Sequence, residues 1–432
     1  MGILPGYPRT FRHKSLILES LLDIDKITLF NKLSLLDIDK TTTTSKDGCF
    51  SGTAIVEKDR LYILYTGVVN ENGKCFQRQC LAYSDDGIKF VKHPEPVIGS
   101  DEVPEGFSPY DFRDPCVFKK EGRFYMLVAS RKGEKSDILL YTSFNLIEWK
   151  YVGAVLDYPS SGKMIECPCW NEKAGLMIYS DQFSEPRGSE HLNIHSNFFR
   201  QGTLDCNKGK FSTISEGIID YGFDFYAAQF FANTEKTVMI AWMQMWDRNI
   251  PCKKEGFAGM LTLPRYVTVK EGRLLQSPVG LDKYISEKTV IDKHDFKGVI
   301  KAEGSVYQLK IDAEKINKFK LYVKKGEGEF TSLYIENGFL VLNRSESGET
   351  IIGAEKDEYS LSGIRKMPLQ DAENISLIVI SDRFSLEIFC EGKALTSTVY
   401  AAENSRGIEI EADALNIKAE IGELSFPVKI NS

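Results

Sequence analysis

From Phe50 onward the apolar residues come in short runs rich in Val, Ile, Leu, Tyr and Phe, cut by clusters of Asp, Gly and Lys. FSGTAIV leads through a turn at Glu57–Arg60 to LYILYTGVV, then QCLAYS, a turn at Asp85-Asp86-Gly87, and IKFV. Such runs predict the strands of an antiparallel meander. The pattern restarts at Asp111, at Met164 and at Asp224, so the four starts are 61, 53 and 60 residues apart. Four-stranded units at that spacing predict propeller blades, whose first strands line a central channel. The residues that open the units (Phe50-Ser51, Arg113-Asp114, Glu166, Asp224 and Tyr226) are thereby expected to converge on one axial pocket.

Beyond Pro278 the texture changes. Residues 281–303 are polar and Lys-rich and predict a junction. From Gly304 the runs SVYQLKIDA, KFKLYVKK, TSLYIENGFLVLNR, ISLIVISD, FSLEIFCEG and LTSTVYA alternate at short spacing, which predicts an antiparallel β-sandwich over 304–432. The fold class is therefore all-β, a propeller over 50–280 followed by a C-terminal sandwich. Residues 1–49 are atypical. SLLDIDK occurs at Ser20–Lys26 and again at Ser34–Lys40, a spacing of 14, and Thr41–Gly48 predicts an exposed loop.

Composition narrows the partners. The 54 basic and 61 acidic residues give a formal charge of −7 with no basic block, which disfavours nucleic acid and anionic membranes. No window of about 18 apolar residues occurs. The opening MGILPGYPRTFRHK has no apolar core of a leader peptide. The nine cysteines are odd in number and scattered, as expected of free thiols in a reducing cytoplasm. Cys167-Pro168-Cys169 lacks the spacing of a metal or redox motif.

Two stretches carry charge into apolar surroundings, YDFRDPCVF (Tyr110–Phe118) and MIECPCW (Met164–Trp170). Charges so placed are either paired or used. Ion-paired carboxylates at strand ends is the plain reading. The chemical one is a sugar-cleaving pair, because glycoside hydrolysis needs one carboxyl to protonate the leaving oxygen and another to attack carbon or activate water. Glu166, among Met164, Ile165, Cys167, Pro168 and Trp170, is the expected acid, with its pKa raised. Asp114, beside Arg113, is expected to stay ionised. Phe50, Phe112, Tyr226, Trp242 and Trp246 are candidate apolar walls.

These motifs resemble those of glycoside hydrolase family 32, the invertases, sucrose-6-phosphate hydrolases and fructan hydrolases. Phe50–Ala54 (FSGTA) resembles the family's FSGSA motif, Asp111–Pro115 its RDP motif and Met164–Pro168 its EC motif. DFYAAQ, WMQMW, GMLTLPR and the sandwich strand SLEIFCEG (Ser385–Gly392) are also similar to family stretches. The resemblance implies a five-bladed propeller plus sandwich, with Glu166 as acid/base and Asp114 as transition-state stabiliser. Phe50, Ser51, Arg113, Tyr226 and Trp242 would bind substrate. It implies no metal or organic cofactor, a small carbohydrate as partner, and retaining cleavage of terminal β-D-fructofuranosides in sucrose, sucrose 6-phosphate or short fructans.

One departure stands against the matches. The family nucleophile is an Asp in a WMNDPNG-like motif, and no Asn-Asp-Pro occurs here, nor any Trp before Trp149. Asp23, Asp25, Asp37, Asp39 and Asp47 precede FSGTA in other contexts. The nucleophile is thus not identifiable, and the expected first blade is degenerate or incomplete. Three expectations follow. The first is a β-fructosidase. The second is a catalytically impaired relative that at most binds sugars. The third, disfavoured by FSGTA and the sandwich strand, is an inverting hydrolase of a related five-bladed family. A cytoplasmic location would suit a phosphorylated disaccharide.

Overall fold

The computed structural model describes residues 44–156, 162–353 and 363–426. The duplicated SLLDIDK segments, Asp23, Asp25, Asp37 and Asp39 lie outside the described residues. Four antiparallel sheets follow one another along the chain. The first comprises β1 (Gly48–Glu57), β2 (Arg60–Glu71), β3 (Lys74–Ser84) and β4 (Val91–Lys92). The second comprises β5 (Phe112–Lys120), β6 (Arg123–Lys132), β7 (Lys135–Ser143) and β8 (Lys150–Ala154). The third comprises β9 (Met164–Asn171), β10 (Leu176–Gln182), β11 (His195–Asp205) and β12 (Lys210–Ile218). The fourth comprises β13 (Tyr226–Phe230), β14 (Val238–Met243), a two-residue β15 (Met260–Leu261), β16 (Arg265–Lys270) and β17 (Arg273–Pro278).

Each sheet is a blade whose first strand is innermost, and β1 packs on β5, β5 on β9 and β9 on β13. Tight hairpins make this possible. Lys58-Asp59, Asn72-Gly73, Glu121-Gly122 and Glu271-Gly272 each place two successive residues at positive φ. That is the turn whose twist matches the flanking strands. Between the blades lie Leu64, Leu81, Phe112 and Met126 on one side, and Leu127, Leu140, Ile165, Ile178 and Phe225 on the other. Among the described residues no comparable packing joins β13 back to β1, and β1 is largely exposed where β5 and β9 are buried.

The rest of the chain forms one nine-stranded sheet folded on itself. The stretch expected to be a junction is in fact mostly β18 (Ile285–Glu303), a 19-residue strand paired with β26 (Gly407–Leu424). It reads as polar because it lies at an edge and most of its side chains face water. β26 also pairs with β19 (Tyr307–Lys325). The first half of β19 (307–313) pairs with β23 (Ile375–Asp382), and its second half (320–323) with β20 (Thr331–Glu336). The three long strands therefore pass from one layer to the other. Asp295 and Lys315, at φ 43° and 49°, mark the bend. β24 (Ser385–Cys390) and β25 (Lys393–Thr398) complete one layer, β21 (Phe339–Asn343) and β22 (Ile364–Pro368) the other. Leu309, Ile311, Leu321, Leu333, Leu342 and Ile388 fill the space between them. No helix among the described residues is long and apolar enough to cross a membrane.

Candidate active site

The inner strands share an irregularity at their pocket ends. Pairing slips between Arg113 and Cys116 on β5, opposite Cys167-Pro168 on β9, and between Tyr226 and Gln229 on β13. At each slip one non-glycine residue is left-handed: Asp114 (φ 63°), Cys167 (φ 51°) and Ala227 (φ 52°). Pro115 and Pro168 follow the first two, and a proline cannot donate to the ladder. A bulge frees its own N–H and re-aims its side chain. Each freed N–H is taken by a side-chain oxygen of the preceding blade. Asp114 donates to Thr66 Oγ1 (2.9 Å), Cys167 to Asp114 Oδ2 (3.0 Å) and Ala227 to Ser180 Oγ (2.9 Å). The bulges thus lock neighbouring blades together and turn their side chains inward.

Four of the expected site residues meet there. Arg113 donates from Nε (3.0 Å) and Nη2 (2.8 Å) to Glu166 Oε1, and Tyr226 OH donates to Glu166 Oε2 at 2.6 Å. Asp111 lies 3.5 Å from the remaining Arg113 nitrogen and also accepts from Arg131 Nε at 2.8 Å. Asp114 is buried, with Cys167 Sγ 3.5 Å from the oxygen that accepts the Cys167 N–H. Its burial, and then the Glu166 charge, push its carboxyl up to about 6 against the opposing pull of Arg113. Even so raised, this carboxyl is still the anion at neutral pH and gains its proton only as the pH falls through about 6. The fold encloses this carboxyl more completely than that of Glu166, whose side chain keeps 13% of its exposure. Behind the pair, Asp181 accepts the Gly162 N–H, and burial raises its carboxyl to about 7.

Other expectations divide. Trp242 lies opposite Tyr226 on β14, and its ring is 4.9 Å from that of Trp246. Phe50 and Ser51 lie on exposed β1, without a hydrogen bond to the cluster among the described residues. Phe112 is wholly buried in the blade core, 6.1 Å from Tyr141, and is no pocket wall. Asp224 does not enter the pocket. It is buried at the seam with the sandwich, paired with Arg248 (3.2 Å) and Arg344 (2.9 Å). Thr66, Ser180 and Cys167 were missed. Thr66 and Ser180 are lone hydroxyls in the apolar runs LYILYTGVV and GLMIYS, and that incongruity is the signal that would have found them. Among the described residues no group of three or more His, Cys, Asp and Glu is placed to hold a metal. No disulfide joins the nine cysteines.

A propeller with a carboxylate pair, a guanidinium and a phenol at its axis, followed by a sandwich, defines a carbohydrate-cleaving hydrolase. Comparison with known proteins is more specific. The profile of the glycosyl hydrolases family 32 N-terminal domain matches residues 30–278, and that of the family 32 C-terminal domain matches 274–426. The raffinose invertase of Escherichia coli is 30% identical over 388 residues, 85% of this chain and 77% of that one. The sucrose-6-phosphate hydrolase of Zymomonas mobilis is 30% identical over 373 residues, 80% and 70% of the two chains. Among solved structures, the Bombyx mori family 32 β-fructofuranosidase superposes with a TM-score of 0.74 at 26% identity, over 88% of this chain and 80% of that one. A sucrose-6-phosphate hydrolase from Lactobacillus gasseri shares the fold with a TM-score of 0.80 at 23% identity, over 90% and 80%. The chain belongs to glycosyl hydrolase family 32, and is a hydrolase of the β-fructofuranosidase type.

Proposed function

We propose that this protein hydrolyses terminal β-D-fructofuranosides by a retaining mechanism, with sucrose and sucrose 6-phosphate as substrates. The observation that carries the reading is the Arg113–Glu166–Tyr226 cluster beside Asp114, set on consecutive inner strands. Glu166 protonates the glycosidic oxygen, because it is the partly open carboxyl and Tyr226 and Arg113 fix both its oxygens. Asp114, buried and anchored by the Cys167 N–H, is the fixed anion that stabilises positive charge at the anomeric carbon. Trp242 with Trp246, and Phe50 with Ser51 at the rim, complete the walls. A cytoplasmic setting agrees with a phosphorylated disaccharide as substrate.

A retaining route also requires a nucleophilic carboxylate. Asp47 lies outside the cluster and accepts the Asn70 N–H at 2.6 Å. In this reading the nucleophile comes from the chain before β1, where Asp23, Asp25, Asp37 and Asp39 occur. A second reading, a sugar-binding relative with impaired catalysis, is favoured by one observation. Asp47, the only aspartate before FSGTA among the described residues, is held by the Asn70 N–H and takes no part in the cluster. Release of glucose from sucrose and of glucose 6-phosphate from sucrose 6-phosphate separates the two. Turnover that vanishes in Glu166→Gln, and in one Asp→Ala variant among those four, supports the first reading. A folded protein without turnover supports the second.

A further inference from the structure

Lys163 and Phe183 stand together at the adjoining ends of β9 and β10, close in the chain to Glu166. Lys163 immediately precedes β9, three residues before Glu166, and donates its N–H to Gln182 O at 2.8 Å. Phe183 immediately follows β10, whose Gln182 pairs with Met164. A strand advances about 3.3 Å per residue, so Lys163 and Glu166 are roughly 10 Å apart along the backbone. The Lys163 ammonium lies 5.0 Å from the centre of the Phe183 ring. Lys163 is exposed, and among the described residues it has no carboxylate partner within 4.0 Å.

Phe183 is an odd residue for a plain surface turn. Its φ is 57°, a conformation that suits glycine or asparagine and strains a bulky side chain, and it is 43% exposed. Strain of that kind collects at ligand-binding positions. The residue is also held. Its N–H donates to Ile194 O (3.0 Å) and to His195 Nδ1 (3.3 Å), and its ring meets the His195 ring edge to face at 4.8 Å. His195 is buried, its ring 5.8 Å from that of Tyr226, the residue bonded to Glu166. Asp247 lies 3.8 Å from His195 Nε2, whereas the Phe183 N–H points to Nδ1. This corner therefore presents an apolar ring and, over it, a positive charge with no carboxylate partner among the described residues, connected through His195 and Tyr226 to Glu166.

We infer that Lys163 and Phe183 form the subsite for an anionic leaving group. Phe183 is the apolar wall for the departing hexose, and Lys163 pairs with a phosphomonoester on it. This rests on the fructosidase reading, but adds the residues that select the phosphorylated substrate. The test is kcat/KM on sucrose 6-phosphate and on sucrose for the full chain and for Lys163→Met, Lys163→Arg and Phe183→Ala. Lys163→Met should lose about tenfold or more on the phosphorylated sugar, mainly in KM, and stay within about twofold on sucrose, as expected for one charge-assisted contact. Lys163→Arg should restore most of the loss, and Phe183→Ala should weaken both substrates. Equal change on both substrates in Lys163→Met, or none, overturns the inference. If the wild type cleaves neither substrate, the fructosidase reading fails instead. Calorimetric titration with glucose 6-phosphate and with glucose then decides the subsite. Preference for the phosphate lost in Lys163→Met sustains it, and equal binding of the two sugars by the wild type overturns it.

Discussion

The molecule holds two clusters of arginine and carboxylate, and they differ in completeness. At the seam between propeller and sandwich, Arg265 is wholly buried between the rings of Phe225 and Phe389. It donates to Asp220 (2.8 Å), Gln276 (2.9 Å), Glu387 (2.9 Å) and Thr396 (2.5 Å). Asp220 and Glu387 accept backbone N–H groups from Gly222, Thr396 and Leu263 as well. Nearby, burial works against the Asp224 charge, but Arg344, Arg248 and the Thr398 donors hold its carboxyl below the ordinary value. In the pocket, by contrast, Glu166 is partly open, Asp114 is raised, and three backbone residues sit in strained conformations. Dense hydrogen bonding, which leaves out only Nε of the Arg265 guanidinium, makes the seam cluster inert and structural. Incomplete saturation, held in place by the bulges, leaves the pocket cluster able to exchange a proton with a ligand.

That contrast can be broken at either cluster. The largest effect is expected from Glu166→Gln, which should lower kcat on sucrose by ~10³-fold or more while leaving the melting temperature nearly unchanged. A kcat within tenfold of wild type would remove Glu166 from the acid's role. Next comes Arg265→Met. Stranding two buried carboxylates should cost about 3–5 kcal/mol in denaturant unfolding. The protein still folded should keep its kcat, and a large loss of kcat with little loss of stability would contradict the division.

Smaller effects sharpen the picture through pH. Asp181 titrates near 7 in the folded chain against an ordinary 3.8, so the folded state holds the extra proton between those values. Its contribution therefore weakens the fold as pH rises from about 4 to 7. Asp181→Asn should flatten the fall in melting temperature over that window, and an unaltered slope would discount the buried carboxyl. For Asp114, raised to about 6, activity that needs the anion should decline as pH drops below that value. The smallest change is expected from Thr66→Val or Ser180→Ala. Losing one brace of a bulge should cost about 1 kcal/mol of stability. A severalfold drop in kcat/KM with KM for sucrose nearly constant would show that the braces position the acid.

Much of this was legible in order along the chain. Runs of β-branched and aromatic residues between Asp, Gly and Lys turns encode hairpins, because turn type and side-chain alternation are local properties. The blade starts, the sandwich strands and the motif residues Arg113, Asp114 and Glu166 followed from that. Asp-Pro and Cys-Pro even mark two of the bulges, since proline removes a ladder donor whatever surrounds it. The 285–303 strand was not legible as a strand, because its edge position exposes both faces and erases the alternation that would betray it.

What the chain alone could not assign was which charge serves which purpose. Asp114 and Asp224 both open a blade beside aromatic residues, and although Arg113 and Pro115 flank only the first, the local sequence does not say which groups either carboxylate will face. The tertiary structure sends Asp224 to Arg248, Arg344 and Thr398 across the seam, and Asp114 to Thr66 and Cys167 on neighbouring blades. Phe112 likewise turns into the core while Tyr226, equally aromatic, reaches Glu166. Secondary structure was written in the sequence because it depends on neighbours a few residues apart. The role of each carboxylate depends on partners 24 to 174 residues away, and only the packing of blades and sandwich brings those together.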